Sequence, residues 1–199
     1  MRAGARRIAL AATVAIVVAT AAAFAVRRAS GGPSDGGVSA GLSAMERLPA
    51  ERSLPSAVVR WVESSAAATN TDFSEAKARV RKLRSNLGER HSDLYAYRTA
   101  GGGTCLDLTD QVALCPRDAQ AGPRGIQWVT GGFESVPRNV AGLVSDEVVG
   151  VTLSTDGMSQ VVPIRNNAVF AELPPAGETK LLVSFRDGSS ETIGLPDER

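Results

Sequence analysis

One histidine, two cysteines, two tryptophans and two tyrosines are all that 199 residues hold of the side chains that most often carry catalysis, metal binding or stacking. Each shortage removes a class of function. The single histidine, His91, is followed directly by Ser92 and Asp93, and chain neighbours seldom converge as a catalytic triad must. It reads as a surface-loop residue just past a helix stop. There is no Gly-x-Ser-x-Gly elbow, no His-Glu-x-x-His and no Asp/Asn-rich calcium loop. Two cysteines and one histidine give too few ligands, at no recognisable spacing, for a zinc site. No catalytic, cofactor-binding or metal-binding residue is therefore assigned. Sugar sites favour aromatic platforms, and few are on offer; Trp128, in "GIQWVTGGF", is the aromatic with the best claim to exposure, with core packing as its default.

Excess positive charge is also missing where a nucleic-acid binder would need it. The net charge is +1, but the first 28 residues hold five arginines and no acid. The rest carries 17 basic against 21 acidic residues, about −4. No nucleic-acid partner is expected.

What is present begins with "IALAATVAIVVATAAAFAV", Ile8 to Val26, 19 residues without charge, proline or glycine. As a helix it covers about 28 Å, close to the thickness of a bilayer's hydrocarbon core. Arg2, Arg6 and Arg7 precede it and Arg27 and Arg28 follow, a bias that favours a cytoplasmic N-terminus. The expected organisation is a cytoplasmic segment 1–7, a single-pass transmembrane signal-anchor 8–26, a flexible tether 27–47 rich in Gly, Ser and Ala, and an extracytoplasmic domain 48–199. Ala23-Phe24-Ala25 supports the competing reading of a cleaved signal peptide and a secreted product. Against it stand the length of the run and the arginines that follow at once. Seven cytoplasmic residues are too few for a signal relay that holds a sigma factor.

Helical and alternating patterns divide the domain. Ser56, after Pro55, is placed to cap "AVVRWVESSAAA", whose Val58, Trp61, Val62 and Ser65 share a side. Asp72 with Glu75 forms a capping-box-like pair; Phe73, Ala76, Val80, Leu83 and Leu87 then recur at threes and fours up to Gly88, which predicts a second helix. Its Lys77, Arg79, Arg81, Lys82 and Arg84 offer a phosphate-binding face as one reading, but they spread over both flanks of the apolar stripe and its back, and a solvated face is the stronger one. From Leu94 onward short alternating runs and turn residues predict strands. With a loop at Thr109 to Gln111, Leu108 pairs with Val112 and Cys105 lies opposite Cys115, so a disulfide is expected in an exported domain. "EVVGVTLS" sets Val149, Val151 and Leu153 on one face, and Asp156-Gly157 and Asp187-Gly188 mark hairpin turns.

"VVPIRNNAVFAELPP", residues 161–175, poses the sharpest choice. With Asn166-Asn167 as a two-residue turn, Arg165 faces Ala168, Ile164 faces Val169, Val162 faces Ala171 and Gln160 faces Leu173. One face is then wholly apolar, and a one-residue slip would mix the faces. The turn is the stronger reading; a ligand contact by Arg165, Asn166 and Asn167 is the weaker one. The expected class is α+β: an N-terminal transmembrane helix, two short helices, then a mainly antiparallel, sandwich-like β domain.

"VAGLVSDEVVGVTLSTDG", 140–157, followed by "VPIRNNAVFAELP", 162–174, resembles a C-terminal pattern of uncharacterised exported or membrane-anchored actinobacterial proteins. The earlier "LRSNLGERHSDLYAYRTAGGGTCLDL" is similar to the segment that precedes the pattern in that group. The resemblance implies compartment and fold, and no activity. The expected function is a membrane-tethered, non-catalytic envelope module that binds a protein or an envelope component; an extracytoplasmic hydrolase or transferase without a recognisable motif is the alternative.

Overall fold

The computed structural model describes residues 41–115, 126–131, 138–174 and 177–195. The expected anchor 8–26, the segment 1–7 and most of the tether lie outside the described residues. Among the described residues no helix is long and apolar enough to cross a membrane.

Three short helices open the described chain: α1 (Ser43–Arg47), α2 (Ser56–Ala68) and α3 (Phe73–Ala78). The folded part therefore starts before residue 48, because Leu42, Ala44 and Met45, at the end of the expected tether, are buried. In α2 the buried Val58, Val62, Ser65 and Ala66 recur at helical spacing. Ser56 begins this helix and does not cap it: Pro55 holds the N-cap position, with no side-chain cap bond. The helix closes at Thr69, whose N–H and hydroxyl both donate to the Ser65 carbonyl.

The second expected helix is much shorter than its pattern. Asp72 does cap α3, accepting from the Glu75 N–H at 2.9 Å, but the helix stops after Ala78 and the chain continues as strand β1 (Arg81–Leu87). Leu83 and Leu87 are four apart, a spacing that keeps two residues on one side of a helix or of a strand. Pairing with β2 (Ser92–Arg98) settles the choice for the strand, with register shifts on either side of Arg84. Lys77 remains on α3, whereas Arg81, Lys82 and Arg84 lie on β1.

Eleven strands among the described residues form three antiparallel sheets. The first is β1-β2-β3-β4, with β3 (Thr104–Leu108) and β4 (Val112–Leu114). The second is β5-β6-β9: β5 (Ile126–Gly131), β6 (Asn139–Val144) and β9 (Ala168–Glu172). The third is β11-β10-β7-β8: β7 (Val148–Thr155), β8 (Met158–Val162), β10 (Thr179–Phe185) and β11 (Ser190–Gly194).

Alternation along the strands assigns the layers. Val58, Val62 and Ala76 of the helices pack on Tyr95, Tyr97 and Cys105, one face of the first sheet. Leu94, Ala96, Leu106 and Leu108, on its other face, meet Val129, Ala141 and Leu143 of the second sheet, with Leu42 and Met45 in the same cluster. Val140 and Val144, on the far face of β6, pack against Val151, Leu153, Leu181 and Val183 of the third sheet. The order is helices, first sheet, second sheet, third sheet, so β6 is covered on both sides and every one of its residues is buried. Its Gly142 is required by close approach: a Cβ there would stand 2.9 Å from the Gln127 carbonyl oxygen.

The expected hairpins form at Asp156-Gly157, with φ of 48° and 82°, and at Asp187-Gly188, where the Asp187 carboxylate accepts the Ser189 N–H. One face assignment fails. Val151 and Leu153 are buried as expected, but Val149 is 58% exposed, because the β7–β10 register slips between Ser184 and Phe185 and turns Val148 inward in its place.

Candidate functional site

The Asn166-Asn167 turn forms as the sequence suggests, with both residues at positive φ, 53° and 59°, and with Arg165 and Ala168 exchanging both backbone hydrogen bonds. Beyond that bridge the expected hairpin does not continue. β8 pairs with β7 and β9 pairs with β6, so the strands part into different sheets. The apolar set still comes together, since Val162, Val169, Ala171 and Leu173, with the half-buried Ile164, share the core between the second and third sheets.

The two asparagines are consumed by the fold. Asn167 is buried; its Oδ1 accepts the Ala44 N–H at 2.8 Å and its Nδ2 donates to the Val144 carbonyl and to Asp146 Oδ1. Asp146 in turn accepts from the N–H and the hydroxyl of Ser43. Desolvation works to raise the Asp146 carboxyl, but donors from Asn167 and Ser43 and the charge of Arg47 outweigh it and hold the group below its ordinary value. This network fastens α1 to the chain ahead of β7. Asn166 Nδ2 donates to the Leu83 carbonyl at 2.9 Å, which leaves Arg165 as the exposed side chain of the tip with no side-chain hydrogen bond or ion pair among the described residues.

Cys105 and Cys115 are bonded, with Cα atoms 4.3 Å apart, as the Leu108–Val112 register requires. His91 sits in the β1–β2 turn at φ 53° with Nδ1 2.7 Å from Asn86 Oδ1. Together with Arg90, Ser92, Asp93, Thr109 and Asp110 it lines an open hollow of about 290 Å³. Behind the hollow, Lys82 Nζ lies 2.9 Å from Asp93 and 5.3 Å from the centre of the Tyr95 ring, whose hydroxyl donates to Asp93. The hydrogen bond to Asp93 leads the effects that hold the Lys82 ammonium above its ordinary value.

The group that the sequence did not single out is Asp107. It stands opposite Tyr95 in the β2–β3 ladder and is 7% exposed. Burial, with the charge of Asp110 added, pushes its carboxyl up to about 7. That value suits acid–base chemistry. Yet Asp107 does not line the hollow, and a buried carboxyl out of reach of a substrate has nothing to act on. Among the described residues no three or more His, Cys, Asp or Glu gather as a metal site. Trp128, at 5% exposure, belongs to the core.

The outward face of the third sheet offers a different surface. Val161, Thr152, Leu182 and Thr192 form one row across β8, β7, β10 and β11; Ser159, Ser154, Lys180 and Gly194 form the next; Gly150, Ser184 and Ser190 lie beyond. Val161 is 74% exposed and Leu182 39%, with Val149 beside them. Lys180 is the only charged side chain in these rows, and it is paired with Glu178 at 3.0 Å. No known family matches this chain, and no curated protein or solved structure matches it either, so the geometry of its own surfaces is the ground for a functional reading.

Proposed function

We propose that this chain is a membrane-tethered, extracytoplasmic, non-catalytic module of the cell envelope that binds another protein through the outward face of its third sheet. The observation that carries the reading is the row Val161, Thr152, Leu182 and Thr192, which holds no charged side chain, beside rows in which Lys180 is the one charge. Depletion of charge with exposed apolar side chains marks the centre of protein interfaces. The tether and compartment rest on the apolar run 8–26 and on the resemblance to exported actinobacterial proteins; the disulfide supports an oxidising compartment. The hydrolase or transferase alternative retains one supporting observation, the raised carboxyl of Asp107.

A photo-crosslinking residue at Val161 is expected to give one discrete adduct in intact cells, and the same residue at the exposed Arg60 of α2 none. Leu182→Glu should abolish the adduct at an unchanged melting temperature. Equal adducts at both positions, or indifference to Leu182→Glu, would remove the reading. External protease added to spheroplasts should remove a C-terminal tag without lysis; a protected tag beside an intact cytosolic control refutes the topology. Recovery in the medium with a new N-terminus near Val26 would make the product a secreted module.

A further inference from the structure

Several cations of the described domain have a partner. Arg79 pairs with Glu75, Lys82 with Asp93, Arg98 with Glu46 and Lys180 with Glu178, and Arg81 donates to the carbonyls of Ala78 and Val80. Arg84 and Arg165 have no acidic partner among the described residues, a property they share with Arg52, Arg60, Lys77 and Arg90; what distinguishes them is that they stand in each other's field.

Three features bring them together. Register shifts on both sides of Arg84 interrupt β1, and such irregularities re-aim a side chain out of the regular pleat. Asn166 Nδ2, donating to the Leu83 carbonyl, clamps the turn onto β1 at the residue next to Arg84. Arg165 flanks that asparagine on the other side. The consequence is electrostatic: burial first, then the positive charge of Arg165, lowers the Arg84 guanidinium from its ordinary value.

Arg84 Nη1 is buried without a hydrogen-bond partner. An unmet donor of this kind costs on the order of 1–3 kcal/mol, more when charged, so the position calls for an acceptor. Two guanidinium groups with no acid between them exclude a cation and favour an anion. Their joint positive charge suits an anion with several oxygens spread around one centre, as a phosphate group has. Several phosphate oxygens can meet the planar forks of both arginines at once.

We propose that Arg84 and Arg165, held on adjoining segments by the Asn166 clamp, form a binding site for a phosphate group, free or carried by a lipid headgroup. The site is separate from the outward face of the third sheet, so each proposal stands or falls alone.

The test uses the full chain in a nonionic, phosphate-free detergent and phenylglyoxal, which modifies accessible arginines. Inorganic phosphate, against chloride at equal ionic strength, is expected to slow modification of Arg165 about tenfold once it reaches roughly ten times its dissociation constant, and to leave the exposed Arg60 unaffected. Protection in phosphatidylglycerol nanodiscs without added phosphate assigns the headgroup as the source; protection by inorganic phosphate alone assigns the free ion. Protection under neither condition overturns the site. Arg165→Gln, at an exposed position, keeps the fold and should cancel the phosphate-induced rise in melting temperature seen with the parent chain. An undiminished rise in that variant overturns the pairing of the two arginines.

Discussion

Replacing Asp107 by asparagine separates the charge of that side chain from its size. The carboxyl lies between the ladder partners Tyr95 and Ala113, is 7% exposed and is raised from 3.8 to about 7 by burial and by Asp110. Between those values the folded chain keeps a proton that the unfolded chain has released. The stability linked to this group is thus complete below about pH 3.8 and is lost as the pH rises through about 7. A displacement of about three units, at about 1.4 kcal/mol each, corresponds to about 4 kcal/mol, or about 10 °C in melting temperature for a domain of this size. Asparagine carries no charge at either pH. Thermal unfolding of the parent chain and of Asp107→Asn, followed by circular dichroism, should give melting temperatures that approach each other as the pH falls to about 4 and a variant that melts well above the parent at about pH 8. A gap that is the same at both pH values would refute the reasoning, because it would make the effect of the substitution one of shape.

The remaining expectations concern the turn, the disulfide and the core. Asn167→Ala removes the acceptor of the Ala44 N–H and two donors, at a residue with φ 59°, and should cost about 3 kcal/mol in urea unfolding; Arg165→Ala, at an exposed position, should leave the midpoint unchanged. Thiol labelling of the denatured, unreduced chain should find neither Cys105 nor Cys115 free, and reduction should lower stability by about 2–3 kcal/mol for so short a loop. Val169→Ala, at 1% exposure, should cost about 1–4 kcal/mol with no new partner lost or gained in crosslinking.

Turn chemistry was the most legible part of the sequence. Asp156-Gly157, Asn166-Asn167 and Asp187-Gly188 each name residues that accept the left-handed backbone a tight turn demands, and the structure turns at all three. Alternation proved legible as a face and not as a neighbour. Val162, Val169, Ala171 and Leu173 are buried together, yet their strands join β7 and β6 and not each other. Leu83 and Leu87 show a different limit, since a spacing of four satisfies both periodicities and only pairing with β2 decides between them. Leu42 and Met45 escape notice because two apolar residues in a run of small ones carry no period; their burial depends on a side-chain network that begins at Asn167. Asp107, one acid among alternating residues, reads as outward until the layer of helices on that face is known.

The middle sheet joins strands that the chain delivers far apart. β6 ends at Val144 and its partner β9 starts at Ala168, with the whole β7–β8 hairpin threaded between them. Pairing on that side of β6 must wait until that hairpin has been made, and the covering third sheet waits longer, since β10 begins only at Thr179. Contacts of such long sequence separation form late and slowly. A chain with this wiring, made from its N-terminus, keeps that side of its central strand unlocked until nearly all of the described domain has been synthesised.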